Sequence, residues 1–105
     1  MLRAILNCGA TANNNVNIDV VGDMPTGCGS DYMVAVTATN DSDVRTFSGY
    51  GATTIDLGAP GENVFLPSGS TGYGGTSGTS FASPCVAGGI ALVYSAPCAD
   101  LASSA

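Results

Sequence analysis

Gly78-Thr79-Ser80 stands where a glycine-rich stretch gives way to a long run of small and apolar residues. A serine at the mouth of a helix has chemical consequences. The first amide hydrogens of a helix lack partners within it and form the positive end of its dipole. An oxyanion forming beside Ser80 would be stabilised there, and the hydroxyl would sit on a rigid support while staying open from the loop side. That arrangement suits a nucleophile acting on a carbonyl carbon. The plainer use of the same residues is capping, with Thr79 or Ser80 accepting from a first-turn amide. Residue types alone leave both uses open. A hydroxyl nucleophile also needs a base to take its proton, and the 105 residues contain no histidine.

The elements that must position Ser80 follow from pattern. Ser80–Ala96 predicts a helix, with Pro84 accommodated in its first turn and Pro97 beyond its end. Phe81, Cys85, Val86, Ile90, Leu92 and Val93 fall on every side of a helical wheel, the mark of a helix buried all round. Gly88 and Gly89 cost about 1 kcal/mol each in helix propensity, which predicts close approach of another element. Upstream, Leu2–Cys8 predicts a short buried strand, Thr11–Asn17 a polar loop and Met24–Gly27 a turn. Tyr32–Thr39, rich in β-branched residues and closed by the polar Asn40–Asp43 cluster, predicts the clearest strand. Thr53–Leu57 and Asn63–Leu66 predict two more, and Ser68–Gly78 a loop.

Composition narrows the chemistry. Eight acidic and two basic side chains give a net charge of −6. Arg3 and Arg45 cannot neutralise a run of phosphates, so a nucleic-acid partner is excluded. Histidine-ligated metal sites are excluded for this chain as well. Only 10% of residues are charged while 45% are hydrophobic, which is unlike disorder and reads as the interior of something larger. The longest apolar run, Cys85–Tyr94, is about half the roughly 20 residues that cross a bilayer, so no membrane partner is expected. The polar Thr11–Asn17 segment follows Met1–Ala10 too early for a signal peptide. Cys8, Cys28, Cys85 and Cys98 in a lysine-free acidic chain lean towards an oxidising compartment. Their pairing is open, buried free thiols being the alternative.

Gly78-Thr79-Ser80-Phe81-Ala82-Ser83-Pro84-Cys85-Val86-Ala87-Gly88 resembles the nucleophile motif of the subtilisin-like serine proteases, Gly-Thr-Ser-x-Ala-x-Pro-His-Val-Ala-Gly. Every fixed position matches except Cys85, where the family usually has a histidine that is not its catalytic base. Thr46–Gly51 and Ile55–Gly61 are similar to the family's "F-S-x-x-G" and "D-x-x-A-P-G" segments, in the same order, and Tyr32–Asn40 resembles the strand before them. The likeness covers roughly Leu2 to Cys98.

The resemblance implies an α/β fold, the C-terminal part of a subtilisin-like three-layer domain with a mostly parallel sheet and a buried nucleophile helix. It implies Ser80 as nucleophile, Thr79 as part of its loop, and the Ser80 backbone N–H as one oxyanion donor. A second donor, an asparagine after a short strand, falls on Ala10 in a gapless reading. A small loop shift brings in Asn13, with Asn14 and Asn15 as rivals. Asn7, Cys8 and Gly9, with Leu6, would then border the pocket for the substrate side chain. The family order of triad residues, aspartate then histidine then serine, places the missing base and acid in an N-terminal part of the same domain. The implied partner is a polypeptide substrate and the implied setting is extracellular.

The resemblance also gives Asp56 a structural role, holding loop backbone. Asp19, Asp23 and Asp31 have the oxygen chemistry of calcium ligands, yet no EF-hand spacing, and solvated carboxylates explain them as well. No cofactor is called for. The expected function is therefore a piece of a serine endopeptidase, inactive alone, exposing apolar surface and folding poorly in isolation. The alternative is a catalytically dead interaction or structural module on the same fold. An unrelated secreted glycine- and serine-rich binding domain is the third reading.

Overall fold

A computed structural model describes residues 5–96. Its centre is a parallel sheet in which β2 (Met33–Thr39) lies between β1 (Asn7–Ala10) and β3 (Leu57–Pro60). Asn7 pairs with Met33 and Ala10 with Val36, while Val36 pairs with Leu57 and Thr39 with Pro60. β2 forms where the β-branched run predicts it. It ends because Asn40 turns the chain, its Oδ1 accepting from the Ser42 and Val44 amides as Asx turns do.

Side chains alternate across a strand, and β2 uses both faces. Val36 and Ala38 are fully buried with Ala59 and Ala82, and Cys8, Val34, Phe47 and Val86 pack around them. Ala82 and Val86 belong to the helix α2 (Thr79–Ser95), so this is the face that the helix covers. On the other face Thr37 Oγ1 donates to the Gly49 carbonyl and shares a hydrogen bond with Ser48 Oγ. The Ala38 amide also donates to Ser48 Oγ. The buried hydroxyls are thus satisfied, as burial requires.

The remaining elements are a single helical turn, α1 (Ile18–Val21), and an antiparallel hairpin of β4 (Val64–Ser68) with β5 (Gly72–Thr76). Asn17 caps α1, accepting from the Asp19 amide. The hairpin departs from the loop predicted over Ser68–Gly78. Its glycines leave the backbone free to pair, and the stacked Phe65 and Tyr73 rings, 5.7 Å apart, supply the cross-strand contact that glycine lacks. Gly69 makes the turn with φ +68°, a conformation strained for any residue with a Cβ.

The strand predicted over Thr53–Leu57 begins only at Leu57. The Thr53 and Thr54 amides donate to the two carboxylate oxygens of Asp19, at 3.0 and 2.9 Å, and are not available to a ladder. The first strand likewise starts later than the Leu2–Cys8 reading, at Asn7, whose amide donates to the Tyr32 carbonyl; Leu2–Ala4 lie outside the described residues.

Asp19 carries a pH prediction. The Thr54 side chain first, and then the Thr53 amide, lower its carboxyl from 3.8 to about 2. A depressed carboxyl stabilises the fold above its unfolded value and ceases to as pH falls through its folded one. The contribution should disappear between about pH 4 and pH 2. An NMR titration of the Asp19 carboxyl checks this, and titration at an ordinary aspartate value would refute it.

The helix corrects one expectation. It was expected to be buried all round, yet Thr79 and Ala82 are its only fully buried residues, and Leu92, Val93 and Tyr94 are 73%, 63% and 52% exposed. One sheet face covers one stripe of a helix, and among the described residues nothing covers the rest. Beyond the helix's own backbone and the adjoining residues, no described atom comes within 4 Å of a Cβ at Gly88 or Gly89, so the close neighbour expected there is not among the described residues. Pro84 is the sixth helical residue, past the first turn in which it was expected, and its missing amide leaves the Ser80 carbonyl without the usual i+4 donor.

Candidate active site

The α2 helix runs against the strand direction. Its start lies at the carboxyl ends of the strands, where the Gly78 amide donates to the Gly61 carbonyl just after β3 and Thr79 Oγ1 donates to the Thr11 carbonyl just after β1. Its last turn lies at their beginnings, where the Leu6 amide donates to the Tyr94 hydroxyl. The carboxyl edge of a parallel sheet is where ligands bind in open α/β folds. Ser80 is exposed there.

Neither hydroxyl caps the helix. The N-cap is Gly78, with no side-chain cap, and the first turn has no acidic residue to offset the dipole. Thr79, 2% exposed, is instead a structural pin. Its amide and its hydroxyl both reach Asn13 Oδ1, each at 2.9 Å. An amide can only donate, so the Asn13 atom facing it must be the oxygen. The other end of that side chain, Nδ2, has no hydrogen-bond partner among the described residues. It lies 3.9 Å from a Cβ built at Gly78. Phe81 N–H goes to the Gly78 carbonyl, and the Ser80 amide between them has no partner among the described residues. A serine hydroxyl, its own amide and an oriented carboxamide share one helix start.

Of the three consecutive asparagines, Asn13 alone is hydrogen-bonded to the start of α2 among the described residues. Asn14 uses its carbonyl to receive the Val16 amide, and Asn15 Oδ1 accepts from Arg45 Nη1 at 2.7 Å. Asn7, Cys8 and Gly9 are not brought to Ser80 in the same way. Asn7 is exposed, its Nδ2 donating to the Ile5 carbonyl, and lies four residues, about 13 Å of strand, before Thr11. Cys8 packs into the core beneath α2, where burial pushes the pKa of its thiol up. Gly9 is buried, and a Cβ there would lie 2.8 Å from Met33 Sδ and 3.1 Å from Pro25 Cγ. Ala10, the gapless position for the asparagine, ends β1.

The carboxylates hold backbone. Asp56 Oδ2 accepts from the Ala35 amide at 2.8 Å. Asp23 Oδ2 accepts from Thr11, Ala12 and Thr26. Among the described residues no three acidic, cysteine or histidine side chains converge. A cavity of about 450 Å³ is lined by Thr26, Cys28, Asp31, Met33 and Asp56 among others, and Ser80 is not in its lining. Cys85 Sγ donates to the Phe81 carbonyl within the helix. Among the described residues Cys8, Cys28 and Cys85 form no disulfide with one another, and Cys98 lies outside the described residues.

The profile of the subtilase peptidase family, Peptidase_S8, matches residues 4–100. The chain belongs to the subtilase family. It is also 40% identical over 92 residues to an extracellular protease of Xanthomonas campestris pv. campestris. That match covers 80% of this chain and 15% of the relative, so the chain spans a small share of that relative's length. The parallel sheet with its helix is a mixed α/β arrangement of the kind expected for part of a subtilase. No helix among the described residues is long and apolar enough to cross a membrane.

Proposed function

We propose that this chain is the nucleophile-bearing part of a secreted subtilisin-like serine endopeptidase that hydrolyses peptide bonds in polypeptide substrates. Ser80 Oγ attacks the scissile carbonyl carbon, and a histidine base takes its proton. With no histidine among the 105 residues, that base and its aspartate partner come from further chain of the same domain. The oxyanion is held by the Ser80 backbone N–H and by Asn13 Nδ2, at the positive end of the α2 dipole. The single observation carrying this reading is the Asn13 side chain, anchored through Oδ1 by Thr79 with its donor end free.

The further chain also supplies the third layer. It covers the outer face of α2 around Leu92, Val93 and Tyr94, all exposed in the described residues. Of the three β1 residues, Gly9 stays beside the substrate pocket, being the nearest to Asn13 and without a side chain. Alone, the chain lacks a base and is inactive. The extracellular relative supports the secreted setting.

A fluorophosphonate probe, which reacts only with an activated serine, tests the reading on the intact gene product. Labelling at Ser80, abolished in Ser80→Ala, is the expected result. A folded intact protein that does not label would sink the endopeptidase and leave a catalytically dead subtilase module.

A further inference from the structure

The oxyanion donor is carried by a loop with no ladder of its own, so something else must hold it. Thr11–Asn15 is gripped from two sides. On one, Arg45 Nη1 donates to Asn15 Oδ1 at 2.7 Å and to the Ser48 carbonyl at 2.6 Å, with its guanidinium 4.6 Å from the Tyr50 ring centre. The Gly49 amide also donates to the Ala12 carbonyl, at 2.8 Å.

On the other side one carboxylate oxygen gathers three donors. Asp23 Oδ2 receives Thr11 Oγ1 at 3.0 Å, the Ala12 amide at 3.0 Å and Thr26 Oγ1 at 2.6 Å. Thr11 and Thr26 are each 3% exposed. Thr11 and Ala12 are the two residues immediately before Asn13, and the Thr11 carbonyl is the acceptor for Thr79 Oγ1. The carboxylate therefore touches the loop at the point that sets where Asn13 leaves it. A carboxylate oxygen accepts and does not donate, so it can face three donors at once.

We propose that Asp23 is a positioning residue for the oxyanion donor: it fixes the Thr11–Ala12 backbone so that Asn13 Nδ2 stands at the place where negative charge develops. The inference rests on the reading of Asn13 and Ser80 as oxyanion donor and nucleophile. Misplacement of a catalytic group by about 1 Å is enough to lose about 10²-fold in rate, so a loop tether can matter without touching substrate.

The test is a double-mutant cycle in the intact protease with a peptide substrate and a peptide aldehyde inhibitor, which forms an oxyanion on Ser80. Asp23→Ala should lower kcat by about 10- to 100-fold with little change in KM, and weaken the aldehyde by a like factor. Asp23→Asn keeps one acceptor oxygen and should recover most of the loss. In an Asn13→Ala background, Asp23→Ala should cost almost nothing further, because residues acting as one unit are not additive. Wild-type kcat in Asp23→Ala, or losses that multiply in the double variant, would overturn the positioning role. If Asp23→Ala does not fold, the smaller loss in Asp23→Asn must vanish in the Asn13→Ala background, and its persistence there overturns the proposal. Asn13→Ala with wild-type kcat removes the oxyanion reading and this inference together. A loss in Asn13→Ala without one in Asp23→Ala removes the inference alone.

Discussion

Asn13→Ala should lower kcat of the intact protease by about 10²–10³ while leaving KM nearly unchanged, a magnitude that belongs to subtilisin itself. The donor meets the oxyanion only after Ser80 has attacked, so its loss is felt in the transition state and little in substrate binding. The geometry sharpens the expectation through a second variant. Asn13→Asp keeps an oxygen for the Thr79 amide, which reaches Asn13 Oδ1 at 2.9 Å, so the loop keeps its anchor. It loses the N–H donor and puts a carboxylate beside the developing negative charge. It should therefore be at least as slow as Asn13→Ala while melting closer to wild type. Asn14→Ala, in a residue whose described bond is through its carbonyl, should leave kcat within about threefold. Steady-state kinetics on the three variants check this. Equal losses at Asn13 and Asn14 would show a loop effect and not a donor.

The sequence could not choose among Asn13, Asn14 and Asn15 because one side-chain type in three successive positions carries no distinguishing pattern. What separates them is where the loop turns, and the turn is set by partners remote in sequence: Thr79 for Asn13 and Arg45 for Asn15. The helix start was legible because its signal is local. Gly78, Thr79 and Ser80 sit at one helix start, and local order is enough to place them. β2 was legible for the same reason, its branched run being closed by Asn40.

The less legible parts all depend on distant chain. Thr53–Leu57 has strand composition, but the Asp19 carboxylate takes its amides from 34 and 35 residues away, so the ladder starts at Leu57. The carboxylates of Asp19 and Asp23, explained from sequence as solvated or as calcium ligands, hold loop backbone. Their roles had no periodic signal to find. β5 was hidden by glycine, which weakens strand propensity without preventing backbone pairing. The helix misled by its composition. Its apolar outer face fits a larger domain, whereas the described residues cover a single stripe.

Gly61→Ala should both destabilise this part of the domain and disturb the helix start. A Cβ at Gly61 would lie 2.7 Å from Ala38 Cβ, 2.8 Å from the Gly78 carbonyl oxygen and 3.1 Å from Ala82 Cβ. None of these is the end of a flexible side chain. Ala38 and Ala82 are both fully buried, one on the central strand and one on the helix, and the Gly61 carbonyl itself receives the Gly78 amide at 2.7 Å. Relief therefore requires the helix start to move off the sheet. Overpacking of this kind typically costs about 1–3 kcal/mol. The displaced segment is Gly78-Thr79-Ser80, so fluorophosphonate labelling should slow as well, by about 10²-fold for a shift of about 1 Å. Thermal melting and labelling rates of the intact Gly61→Ala protease measure the two effects. Loss of stability with wild-type labelling would mean that the core yields elsewhere and the nucleophile keeps its place. If both stayed at wild-type values, the contact between the turn after β3 and the nucleophile loop would not be as close as the geometry has it.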